Sequence, residues 1–289
     1  MAAINRSTDM TTGSIWKRMV SFAVPVFLGN LCQQLYNTVD SVIVGKFVGK
    51  QALAAVASSG NLIFMMTGFF MGLFIGAGIV IAQYFGARNY EKVRSAVHTD
   101  IAFALCCGVL LTLLGVFFTP TILTWMRTPA DVLSTSILYF RLYFLGSLAT
   151  ILYNAGMGIL QAVGDSRSPL YYLVISSVVN VALDLLFVGA MDMGVAGAAV
   201  ATVISQVVSA VLCIIKLTRS DGPYRLEIKR IGFDLPLLKK ITSQGVPSGV
   251  QNSIIAIANV VVQSNINTFG SDAMAGCGSY SKVEGFVFL

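Results

Sequence analysis

Apolar runs of about twenty residues, broken by short polar turns, set the pattern of this chain. They fall near 18–44, 52–82, 99–119, 134–162, 169–189, 195–215 and 239–268, and an eighth begins at about 280. About twenty apolar residues in a helix span the hydrocarbon core of a bilayer, so seven spans and the start of an eighth are expected. The turns are VGKFVGK, FGARNYEKVRS, RTPADV, VGDSRSP and AMDMG, and one longer basic loop covers 216–236.

Composition agrees. Hydrophobic residues make up 56% of the 289 and charged residues 11%, against about 25% charged in soluble domains. Mean hydropathy is +0.79. The fold class is an all-α polytopic membrane protein. The net charge of +6 does not indicate nucleic acid, because the basic residues lie in loops where they set topology. With the N-terminus inside, the inner loops collect Arg6, Lys17, Arg18, Arg88, Lys92, Arg94, Arg167, Lys216, Arg219, Arg225, Lys229, Arg230, Lys239 and Lys240. Lys46, Lys50, Arg127, Arg141 and Lys282 are left outside. This bias predicts a cytoplasmic N-terminus and an inner (plasma) membrane location. The five cysteines form no C-x-x-C pair and read as small packing residues. The one histidine, His98, reads as a loop or helix-end residue.

The chain also repeats itself. Val24-Pro25, Asn30 and Asn37 recur as Val246-Pro247, Asn252 and Asn259 at an offset of 222. After a slip of one residue, Gly49, Ala52, Ala54 and Ser58 fall on Gly270, Ala273, Ala275 and Ser279. Span seven repeats span one, and both enter the membrane in the same direction, as in a parallel repeat. The expected organisation is a six-span unit over 1–215, a cytoplasmic loop over 216–236, and the opening of a second unit over 237–289 that the chain end cuts short.

Polar groups inside spans carry the candidate chemistry, since an intramembrane carboxylate is costly. In span one, Asn30, Gln33, Gln34, Asn37 and Asp40 fall on one face about 120° wide at 100° per residue. Asp184 lies within the apolar VVNVALDLLFV, with Asn180 one helical turn before it. Thr202 follows the small-residue run GVAGAAVAT. Alternating topology puts Asp40, Asp184 and Thr202 in the outer half of the membrane, where they can converge. Two carboxylates, an amide and a hydroxyl can hold a proton or act as hard oxygen ligands for a cation. Plainer readings stay open: Asp40 as an interfacial charge beside Lys46, Asn180 as interhelical glue, Thr202 as a packing hydroxyl. Gly68, Gly72 and Gly76 read as a close-packing face, Gly164-Asp165 as a turn, and Met65, Met66, Met71 and Met157 as packing.

The segment VPVFLGNLCQQLYNTVDSVIVGKFVGKQALAAVA resembles the first span of the multidrug and toxic compound extrusion (MATE) transporters. GILQAVGDSRSPLYYLVISSVVNVALDLLFV and MGVAGAAVATVISQ resemble the fourth to sixth. The resemblance implies a fold of two six-helix lobes, of which this chain holds the first and the start of the second. It implies a monomeric antiporter that exports small organic, often cationic, compounds by alternating access, driven by inward Na+ or H+. It carries the coupling ion onto Asp40, Asn180, Asp184 and Thr202, which would be the ligands were the ion Na+. It makes Pro25 the point where span one bends, and it puts Gln34, Tyr36, Asn37 and Asn154 near the substrate cavity. Span seven bears no acid, which favours the DinF-like prokaryotic branch. The expected partners are a small organic substrate, the ion and the lipid bilayer, with no nucleic acid and no cofactor. Two alternatives stand beside this: a flippase for lipid-linked saccharides, which needs several basic side chains in its cavity, and a non-transporting truncated remnant. No Ser–His–Asp set, zinc-ligand spacing or phosphate loop suggests an enzyme.

Overall fold

The computed structural model describes residues 14–57 and 59–287; Arg6 and Ser58, used above for orientation and repeat, lie outside them. The described chain is helical throughout. Its helices are α1 (Ile15–Phe47), α2 (Lys50–Ala57), α3 (Ser59–Gly86), α4 (Tyr90–Trp125), α5 (Ala130–Leu145), α6 (Ser147–Ala162), α7 (Arg167–Asp184), α8 (Gly194–Arg219), α9 (Leu235–Asn267) and α10 (Ser271–Val287). Five are long and apolar enough to cross a membrane, or six if α5 and α6 count as one bent span. The protein is a multi-pass membrane protein.

Three elements differ from the hydropathy reading. The run 134–162 is two helices, α5 and α6, that meet at 49°. Their junction is Gly146, where a side chain would collide with Val203. The eighth helix starts at Ser271, not near 280. Its first turns are small and polar, so hydropathy hides them, but Met274 and Ala275 pack with Ala54 and Val132. Finally, α1 is not among the helices apolar enough to pass as a span. It has 33 residues, about 50 Å at 1.5 Å per residue, but its amides and Asp40 dilute its apolarity.

The repeat is visible in the backbone. α1 and α9 are both 33 residues long with one interior proline, Pro25 and Pro247. Each ends at a glycine with positive φ, Gly49 at +104° and Gly270 at +94°, and a second helix follows. Only glycine adopts such a turn without strain.

The core lies where α4, α6 and α8 meet, around Ile101, Leu111, Ile151, Ile159, Leu160, Cys213 and Leu217. Small residues bring α4 close to α5 and α6 close to α8: a side chain at Gly115 would enter the Phe144 ring, and one at Gly156 would strike Cys213 Sγ. On the outside, Phe117, Trp125, Val178 and Ile257 are exposed apolar side chains suited to lipid.

α3 and α9 are in contact along nearly their whole length. A side chain at Gly72 or Gly76 would overlap the backbone of Gly249 or Gly245, so the close-packing face expected from the sequence meets a second one. Next along this contact, Asn252 Nδ2 donates to Gly68 O at 3.1 Å. Asn61 Nδ2 donates to Gln263 Oε1 at 3.0 Å. Gln263 donates on to Asn267, which caps Met126 O at 2.8 Å.

At the opposite, basic end the loop after α8 docks on α4. His98 Nδ1 meets Arg94 O at 2.7 Å, and Nε2 accepts from Glu227 N at 3.0 Å. Asp234 N donates to Thr99 Oγ1 at 3.1 Å. His98 is therefore a buried residue inside α4 and not a loop residue.

Candidate functional site

The polar stripe of α1 opens on a cavity of about 560 Å³. α1 supplies Pro25, Asn30, Gln33, Tyr36, Asn37 and Asp40 to its wall. α3 adds Thr67 and Met71, α5 adds Tyr139 and Tyr143, and α6 adds Thr150, Asn154 and Met157. Tyr153, Gln161 and Ser166 also line it, as do Thr202 and Gln206 of α8 and Lys282 of α10. The helix is uninterrupted through Pro25, which faces the cavity.

Tyr36, Asn37 and Asn154 thus line one space. Gln34 does not: it points to α10 and donates from Nε2 to Lys282 O at 2.8 Å. Met71 and Met157, read as packing, also reach the wall. Tyr36, Tyr143 and Gln206 face the same cavity from three helices.

At the end of the cavity away from the basic loops, Asp40 meets Asp184, carboxylate to carboxylate. Both are buried, with Asp184 and Asn180 fully out of reach of solvent. The spacing of four sets Asn180 and Asp184 on one face of α7. Immediately after Asp184 the helix widens into a π-helical stretch, Leu185–Ala190, a local distortion common at functional sites. Thr202 enters from α8, its hydroxyl donating to Ala198 O at 3.0 Å. Of the four residues named from sequence, Asp40 and Thr202 line the cavity, while Asn180 and Asp184 are buried behind its wall.

Their hydrogen bonding is incomplete. Asp40 Oδ1, both Asp184 oxygens and both Asn180 amide atoms are buried without a partner. Buried polar groups in a folded protein are normally paired. Adjoining carboxylates in apolar surroundings repel each other unless a proton or cation sits between them. Among the described residues no three or more His, Cys, Asp and Glu gather. The donor set is two carboxylates with a neutral amide and a hydroxyl. It suits a proton or a small hard monovalent cation.

The sequence reading missed Lys282, which it counted only as a loop charge, and the tyrosines Tyr139 and Tyr143 of α5. Nothing in a single apolar run says which aromatic faces a cavity. It also missed Asp100, buried in α4 with an unpartnered oxygen. That residue sat at the edge of an apolar run and passed for a flanking charge.

Comparison with known proteins places these observations in context. The MatE family model matches residues 25–186. A probable multidrug resistance protein of Bacillus subtilis, YoeA, is 33% identical over 281 residues, covering 95% of this chain and 61% of that one. The multidrug export protein MepA of Staphylococcus saprophyticus is 23% identical, covering 92% and 59%. Among solved structures, a MATE protein in the bent conformation superposes with a TM-score of 0.81 at 26% identity, covering 88% and 57%. An inward-facing multidrug resistance MATE transporter does so with 0.78 at 27% identity, covering 86% and 56%. The chain spans about three-fifths of the length of the curated relatives it matches.

Proposed function

Because this chain belongs to the MATE family, we propose that it forms the ion-binding part of an exporter that expels small organic compounds in exchange for Na+ or H+. One observation carries the reading: the buried Asp40–Asp184 pair, with its unsatisfied oxygens, stands at the head of a cavity large enough for a small organic molecule. The family names of its relatives, multidrug resistance and multidrug export proteins, support the substrate class.

The polar wall of α1 and the tyrosines of α5 would hold the substrate. A proton or Na+ arriving at the carboxylates would neutralise their repulsion, take up the free oxygens of Asp184 and Asn180, and change how α1 packs on α7 and α8. Substrate and ion then alternate, and this exchange drives export. The basic loops face the cytoplasm in this reading, in a plasma membrane, with the complete transporter a monomer.

Against the flippase alternative stands the cavity wall itself, where Lys282 is the only basic side chain among the described residues. A phosphate-holding cavity needs several.

The test is drug accumulation in cells that express the protein. Asp40→Asn and Asp184→Asn should each reduce efflux at least about tenfold, since each removes a group the exchange cannot replace. Wild-type efflux from both variants would sink the assignment. Transport under separate Na+ and pH gradients distinguishes the two ions.

A further inference from the structure

The two copies of the repeat meet at two seams, α3 on α9 and α10 on α1. Beside the first runs an apolar groove of about 770 Å³ between α4 and α9. One wall is a stripe of α4: Leu114, Phe118, Ile122 and Trp125, at spacings of four, four and three. Met65 and Met66 of α3 also line it, and methionine adapts its shape to an irregular apolar guest. Leu114 and Arg127 are 13 residues apart, about 20 Å at the helical rise. That is the depth of one leaflet with its headgroups, about 20–22 Å. The groove turns polar at the end away from the basic loops. Asn267 caps Met126 O there, which sets Ser264 of α9 level with the last turn of α4. Trp125 at this end is 77% exposed, as a tryptophan at the membrane–water interface would be. Of the charged side chains among the described residues, Arg127 is the one that lines the groove, and no described carboxylate pairs with it.

We propose that this groove holds an anionic phospholipid of the leaflet away from the basic loops, with one acyl chain along α4 and the phosphate at Arg127. A guanidinium offers a phosphate two parallel N–H donors, and the apolar stripe below it takes the chain. The repeat argues that no further helix of the second copy fills the groove. At the offset of 222, Val261 and Ser264 on the α9 wall stand where Val39 and Val42 stand in α1. Val39 and Val42 stay 38% and 61% exposed although all of the first copy is packed around α1. Helices that packed on α9 as α7 and α8 pack on α1 would leave this wall open to lipid as well. The lipid touches α3 and α4 of one copy and α9 of the other. It therefore fastens the seam from outside, next to the Asn61–Gln263 hydrogen bond. This goes beyond the export reading and depends on neither the coupling ion nor the substrate.

The experiment is fluorescence quenching in the purified chain in detergent. The sequence has two tryptophans, Trp16 and Trp125, so Trp16→Phe leaves the one in the groove wall as sole reporter. Phosphatidylglycerol and phosphatidylcholine, each with brominated acyl chains, are titrated in as quenchers. Half-quenching should need roughly tenfold less phosphatidylglycerol than phosphatidylcholine. Arg127→Gln should abolish that preference and Arg127→Lys should keep most of it. Lys46→Ala, which removes an exposed cation at the same end but outside the groove, should leave it whole. Val261→Phe, which fills the groove, should weaken quenching by both lipids. Inorganic phosphate in large excess should not displace the bound lipid. Equal quenching by the two lipids overturns the proposal, and so does a preference that survives Arg127→Gln or is lost with Lys46→Ala. Quenching unchanged by Val261→Phe, or lipid displaced by phosphate alone, overturns it too.

Discussion

Asp184 is the residue at which stability and function pull apart. It is fully buried, lies against the Asp40 carboxylate, and neither of its oxygens accepts a hydrogen bond from an amide, hydroxyl or other donor group. A site arranged for a transient ion is strained when empty. Asp184→Asn should therefore fold at least as well as the wild type while losing efflux. In detergent without added Na+, its melting temperature should equal or exceed the parent's, by the equivalent of about 1–2 kcal/mol. A drop of several degrees would mean that the carboxylate stabilises the fold. At this scale much was legible: an aspartate among VVNVA and LLFV has no other cheap explanation in a membrane. Lys282 was not legible, because a lysine within a small, polar helix looks like any loop charge. Nor was the inward turn of Met71 and Met157, since methionine fills cores and cavity walls alike.

Glycines decide the contact between elements. Gly76 meets the backbone of Gly245, whereas Gly86, at the end of the same helix, has open space around it. Gly76→Ala should push α3 from α9 and cost about 1–3 kcal/mol by overpacking, read as a lower melting temperature. Gly86→Ala should be neutral in the same assay. The four-residue spacing of Gly68, Gly72 and Gly76 announced a packing face, but its partner, Gly245 and Gly249, came only from the structure. Hydropathy placed most helices well. It failed at Gly146, where one apolar run hides a bend, and at Ser271, where small polar residues disguise a helix that packs on α2 and α5. It also misplaced His98: a histidine between a basic loop and an apolar run gives no sign that a segment 129 residues away will cap its ring.

For the whole molecule, the seams between the repeat copies are the parts that must move if transport proceeds by alternating access. The α3–α9 seam is closed from Tyr84, whose ring lies 4.4 Å from Lys240 Nζ, to Asn61 and Gln263. Asn61→Cys with Gln263→Cys should cross-link readily and abolish efflux almost completely, and a reductant should restore it. Full efflux in the cross-linked state would mean that this seam stays shut through the cycle. The sequence by itself determined the membrane class, the place of most helices along the chain, the repeat, and the choice of Asp40, Asn180, Asp184 and Thr202 as candidate ligands. These follow from local costs: lipid excludes polar groups, so each one left inside an apolar run is conspicuous. Only the tertiary structure decided which polar groups face each other, that Gln34 serves α10 and not the cavity, and that α10 brings Lys282 to the wall of the cavity that Asp40 also lines. Those pairings join residues up to 248 positions apart, and a one-dimensional pattern of polarity holds no record of which helix lies beside which.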